Sequence, residues 1–240
     1  RRDRAVTASD FQEIARATPG AEVGRAECLP RFHPPTKQSQ AAGIVSVVVW
    51  PLEDPAHPNA PVPDRNLLRT VCAWLDQHRL VTTELYVIPP TYRKIAIAAG
   101  LRVKPGYGIE AVRRWVELVI RQYLAPLPPY GPEGQGWPLG RSVIGAELEA
   151  AALQVEGVQF LTGLKLVARA RNSASWQADS VRLADGTVID NSVALESYEV
   201  PELSQIVVVE GSVTGLDPAQ GVTLPSAVVP VPVPILREEC

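Results

Sequence analysis

Alternating strand-like and helix-like segments predict an α+β protein. The expected architecture is two small ferredoxin-like α/β sandwich modules in tandem, followed by a β-hairpin and an extended arm. Three observations carry this expectation. Ile44-Val45-Ser46-Val47-Val48-Val49 is β-branched and apolar on both faces, as in a strand covered on both sides. Ile95, Ile97, Ala99, Leu101 and Val103 recur at every second position, the period of a strand with one buried face. Apolar residues at helical spacing recur between these strands. The expected boundaries are 1–88 and 89–168 for the two modules and 169–240 for the hairpin and arm.

The first element is a helix opened by Thr7, with Asp10 in its first turn where it meets the positive end of the helix dipole. Phe11, Ile14 and Ala15 form its apolar stripe, and Pro19-Gly20 ends it. A strand is expected over 22–29, a proline-broken loop over 30–43, and then the valine strand ending at Trp50. Five prolines between 51 and 63 enforce an extended loop. Asp64 caps a helix whose Leu67, Leu68, Val71 and Leu75 face a core, and a strand follows over 83–88.

The alternating strand opens the second module. Pro105-Gly106-Tyr107-Gly108 turns the chain into a helix lined by Ile109, Val112, Val116, Val119, Ile120 and Tyr123. Glu110/Arg114 and Glu117/Arg121 are spaced for ion pairs on its other face. Burying such a stripe stabilises by ~1.5–3 kcal/mol per large side chain, so packing outweighs the ion pairs. Gly136, Pro138 and Gly140 then set a rigid turn around Trp137, followed by a short helix carrying Leu148, Ala151, Ala152 and Val155. Gly157 stops that helix and a strand runs over 158–167. Farther on, Asp185-Gly186 marks a hairpin and 206–209 a further strand. Valine and proline alternate over 221–236, which excludes a helix or central strand and suits an extended arm lying on another surface.

Composition bounds the function. With 46 % apolar and 20 % charged residues the chain can bury a core. A net charge of −3 argues against a nucleic-acid partner. No run approaches the ~18 apolar residues of a membrane span, so no direct membrane contact is expected. The chain begins at Arg1 and contains no methionine, so it is expected to be the C-terminal part of a longer product. Cys28, Cys72 and Cys240 are far apart with no CxxC pair, which argues for reduced thiols and against a disulfide framework or a thiolate zinc site.

Catalytic chemistry finds little support. His33, His57 and His78 lack metal-ligand spacing, and Glu147 and Glu149 lie two apart on a helix, where they do not face each other and read as a solvated face. Gly100…Gly106-Tyr107-Gly108 has the wrong spacing for a dinucleotide loop, and no GxSxG occurs. No catalytic residue, cofactor or metal is therefore expected, and the chain is read as a non-enzyme. Trp137, in its Gly/Pro turn, is the best candidate for an interface anchor, with Pro138, Arg141, Trp50 and the arm residues Val229, Val231 and Val233 beside it.

Several segments in order resemble the baseplate J-like family, the baseplate wedge proteins of contractile-tailed phages and phage-tail-like contractile injection systems. They are Arg4-Ala5-Val6-Thr7, Asp10-Phe11, Ile14-Ala15-Arg16, Pro19-Gly20 and Arg25-Ala26; the valine strand; Leu67-Leu68, Val71 and Leu75; Arg79-Leu80-Val81-Thr82; Leu85-Tyr86-Val87 and Pro90-Thr91-Tyr92; Gly136-Trp137-Pro138-Leu139-Gly140-Arg141; and Val155-Glu156-Gly157-Val158. The loop 30–43 looks longer than the family's link. Gly145 stands where the family often has a polar residue, and the match fades past Ala168.

The resemblance implies a structural wedge component that pairs with copies of itself and with a second, different wedge protein. Wedges would form a ring around a central hub or spike, anchoring the sheath and relaying the contraction trigger. Such a protein assembles in the bacterial cytoplasm and stays there or leaves with a released particle. Two alternatives stay open: a tail-associated hydrolase whose catalytic part lies outside this chain, and a freestanding binding module of a secretion system.

Overall fold

The computed structural model describes residues 4–171 and 173–213. Within them the chain divides into two compact units, the first ending at Thr91 and the second beginning at Tyr92. Each is an α+β arrangement, and together they hold four helices.

The first unit contains α1 (Ala8–Arg16), β1 (Val23–Pro30), β2 (Ile44–Pro51), α2 (Arg65–Asp76) and β3 (Glu84–Ile88). Helix α1 begins with a full capping box. The Asp10 amide donates to the Thr7 hydroxyl, and the Asp10 carboxylate accepts from the Thr7 amide at 2.8 Å. Helix α2 is capped as expected, the Leu67 amide donating to Asp64 at 2.7 Å.

The sheet order is β1-β2-β3. Strands β1 and β2 are antiparallel with Ala26 opposite Val49, whereas β2 and β3 are parallel with Val45 opposite Leu85. A parallel pair needs a crossover, and α2 supplies it. Phe11, Ala15, Val71 and Leu75 pack on Ala26, Val47, Val49 and Leu85 of the sheet. The other face of β2 carries Ser46, Val48 and Trp50, also buried. Ser46 donates to the carbonyl of Phe32 at 2.6 Å, so the 30–43 loop covers that side. Strand β2 is thus enclosed on both faces, as its unbroken apolar run requires.

The second unit holds most of β4 (Thr91–Val103), then α3 (Ile109–Tyr123), β5 (Val143–Ile144), α4 (Gly145–Leu153) and β6 (Val158–Arg169). It continues through β7 (Trp176–Gln177), β8 (Val181–Arg182), β9 (Val188–Ile189), β10 (Ser192–Val193) and β11 (Glu199–Glu210). The main sheet has the order β11-β4-β6-β7. Ion pairs Lys94–Glu202 and Arg102–Glu210 advance together along β4 and β11, as in parallel strands. The core joins Ile95, Ile97 and Leu101 of β4 to Val112, Val116 and Ile120 of α3 and Leu148 of α4. The three-stranded and four-stranded sheets differ in strand order, so the α+β class holds while the two units do not repeat one topology.

Four local expectations change. Strand β4 is buried on both faces, because Ala96 and Ala98, opposite the isoleucines, have no exposed surface. Neither expected α3 ion pair forms; Glu110 pairs with Arg113 at 2.8 Å instead. Strand β11, which falls in the stretch expected as hairpin and arm, lies beside β4 in the main sheet. The hairpin itself joins β8 to β9, with Gly186 at φ +89°. Cys28 is a free thiol, but Cys72 is disulfide-bonded, which corrects the expectation of three reduced cysteines.

Candidate interaction site at the Trp137 turn

The turn expected to present Trp137 encloses it. Trp137 has no exposed surface. Its amide donates to Ala125 at 2.9 Å, and its indole Nε1 donates to the carbonyl of Arg141 at 2.9 Å. The Tyr123 ring meets the indole edge-to-face at 5.8 Å, and the Arg141 guanidinium lies 5.4 Å from its centre. The indole therefore ties the end of α3 to the turn that leads into α4. An enclosed ring offers nothing to a neighbouring chain, so Trp137 is a core residue of its unit and not an anchor at the surface.

Glycine makes the turn possible at one decisive place. Gly140 sits at φ +70°, and a Cβ there would lie 2.8 Å from the Cα of Ser197. Its amide donates to the Glu199 carbonyl at 3.0 Å, so the turn is stitched to the start of β11.

Arg141 is half-buried. One of its amino groups reaches both oxygens of Glu147 at 3.2 Å, and Glu147 also accepts from the Tyr123 hydroxyl at 3.2 Å. Burial and the Glu147 charge push the Tyr123 phenol above its usual range. Glu147, read from sequence as part of a solvated helix face, is thus the hub of a small network. Helix α4 has no side-chain cap; the amide of Gly145 donates instead to the carbonyl of Asn191 at 3.0 Å. A side chain at Gly145, the first residue of the helix, would meet the Asn191 amide nitrogen at 2.4 Å, so this close approach requires glycine. Asn191 in turn accepts from the Leu166 amide at 2.7 Å and donates to the Leu164 carbonyl at 2.9 Å, closing part of the free edge of β6.

The other sequence-derived candidates scatter. Trp50 is fully buried in the first unit, with the Arg25 guanidinium 4.7 Å from its ring centre. Pro138 is half-buried next to Trp137. Val229, Val231 and Val233 lie outside the described residues. Sequence reasoning missed Trp115, which is 59 % exposed on α3. Ala111, Trp115 and Leu118 form a second apolar stripe beside the buried one, and that spacing was legible.

Chemistry-bearing side chains are engaged locally. His33 bonds Thr36, His57 bonds Asp54, and His78 bonds the carbonyl of Trp74. Burial and the adjacent Glu27 push the Cys28 thiol up to about 12, far from a reactive thiolate. Among the described residues no group of three His, Cys, Asp or Glu could hold a metal ion, and no helix is long and apolar enough to cross a membrane.

No protein-family model matches the chain, and no curated protein matches it. A solved structure does: a chain of the anti-feeding prophage baseplate, determined by cryo-electron microscopy with six-fold symmetrisation, has a TM-score of 0.50 at 16 % identity. The fold is shared with a baseplate protein. The likeness covers 84 % of this chain but only 38 % of the baseplate chain.

Proposed function

We propose that this chain is a structural wedge component of a contractile tail or contractile injection system, of the baseplate J-like type. The observation that carries the reading is the fold shared with an anti-feeding prophage baseplate chain across 84 % of the sequence. The ordered motifs from Arg4 to Val158 support the same reading independently.

In this reading the two units are divergent α/β modules of ferredoxin-like descent. The chain assembles with copies of itself and with a second wedge protein into a ring around a central hub or spike. The ring anchors the sheath, and during contraction its modules move as rigid bodies. A ring subunit needs two unlike contact surfaces, which two dissimilar units supply. The half-buried Pro138 and Arg141, the exposed Trp115 and the valines 229, 231 and 233 are the proposed contact residues. Assembly takes place in the bacterial cytoplasm, within a phage-tail-like particle.

The test is genetic and visual. Deleting the gene should leave no assembled sheathed particles by negative-stain electron microscopy, and normal particles in the deletion strain would overturn the proposal.

A further inference from the structure

Arg93 is out of place. It continues the core-facing series of β4, where Ile95, Ile97, Ala99 and Leu101 are all enclosed, and it is itself only 5 % exposed. A guanidinium in such a row needs a paired acceptor, because an enclosed cation without one is strongly unfavourable. The nearby carboxylate that could serve is Glu199, also 5 % exposed. Glu199 is already committed. Arg171 donates to both of its oxygens, at 3.2 and 2.8 Å, and the Glu196 amide adds a third bond at 2.9 Å. Arg93 Nε is enclosed without a hydrogen-bond partner, and its terminal amino groups, which bond no described residue, still reach solvent. Both guanidiniums thus feel the Glu199 charge, but only the fork of Arg171 bonds its oxygens. Burial and the charge of Arg171 both press against the Arg93 cation, outweighing the help of Glu199 and Asp179.

We propose that Arg93 is the receptor for an acidic side chain of a neighbouring protein in the assembly, whose carboxylate completes the Arg93–Arg171–Glu199 cluster. A carboxylate fits because it supplies the missing negative charge and two oxygens for the planar guanidinium fork. The inference rests on the baseplate reading for the existence of a neighbour, but it uses none of that reading's motifs.

Two substitutions test it in the full-length protein, purified with and without its partners. R93M keeps the volume and removes the unpartnered charge, so the isolated protein should melt at the same or a higher temperature. Its association with the partners should weaken about thirtyfold or more, the effect of removing one member of a buried interfacial charge pair. Treating R93K assemblies with a carbodiimide should join the new amine to an Asp or Glu of another chain, identified by mass spectrometry. A lower melting temperature for isolated R93M assigns Arg93 to its own fold and overturns the proposal. So does unchanged association, or an amide formed only within the chain, to Asp179, Glu196 or Glu199. Wild-type protein that associates with nothing overturns the baseplate reading as well, whereas wild-type and R93M assembling alike overturns the Arg93 inference alone.

Discussion

Replacing Trp137 with alanine should unfold the second unit's architecture while leaving the first unit's core untouched. The indole is wholly enclosed. Truncating a buried Trp costs about 3–5 kcal/mol, with the upper end expected where the surroundings cannot collapse. Collapse is hindered here because Gly140 already lies against Ser197 and the flanking amides are held by Ala125 and Glu199. The lost Nε1 bond leaves the Arg141 carbonyl without its donor, a further ~1 kcal/mol. The sum, about 4–6 kcal/mol, is comparable to the whole stability of a typical domain. At ~2–4 °C per kcal/mol for a chain of this size, the transition should fall by ~10–20 °C. Trp137→Phe keeps most of the volume and loses the bond, so about half that loss or less is expected. The assay is denaturant unfolding followed by far-ultraviolet circular dichroism, with both variants against the wild type. A loss below ~1 kcal/mol for Trp137→Ala would refute the claim that this turn is a core device, and would restore Trp137 as a candidate surface anchor.

Four further outcomes follow. Trp115→Ser, at an exposed position, should change stability by less than ~0.5 kcal/mol yet reduce recovery of partner proteins in pull-downs; equal recovery would remove α3 from the contact surface. Gly145→Ala should destabilise by ~1–3 kcal/mol in denaturant titrations, because the clash with Asn191 exceeds the ~1 kcal/mol gain in helix propensity. A neutral or stabilising result would show that Asn191 yields. Burial raises the Glu199 carboxylate, but the bonds from Arg171 and Glu196 outweigh it and hold the group below its ordinary value. Its folded pKa being depressed, its contribution is present above the unfolded value of ~4.3 and is lost as pH falls through the folded one. Glu199→Gln should therefore flatten the acid limb of the stability profile below about pH 4, and an unchanged limb would deny Glu199 that role. Cys28 should be alkylated at pH 8 about a hundredfold or more slowly in the native than in the denatured protein, and equal rates would contradict the upward push of its thiol by partial burial and Glu27.

Sequence pattern made local features legible where the signal was itself local. Thr7 with Asp10, and Asp64 ahead of Leu67, announce helix starts through bonds that span three residues. The unbroken valines of β2 announce a strand covered on both faces. What pattern missed depends on distant partners. Trp137 looks like a displayed side chain because Gly and Pro flank it, yet its enclosure comes from Tyr123, Arg141 and the start of β11. The alternation in β4 reads as one-sided because the opposite face carries alanines, whose small size is what lets them be buried closely. Asn191 closes the edge of β6 from 25 residues away, and nothing in its own neighbourhood says so. Arg93 is the instructive miss. Its place in the β4 series was readable, but that the enclosed Glu199 carboxylate is already taken by Arg171 was not.

The central claim, membership of a baseplate, is tested most directly by electron microscopy of whatever copurifies with the tagged full-length protein from its native host. The account predicts ring-shaped or sheathed particles containing sheath and tube proteins alongside this chain. A homogeneous monomer, purified under the same gentle conditions with neither sheath nor tube protein, would contradict it.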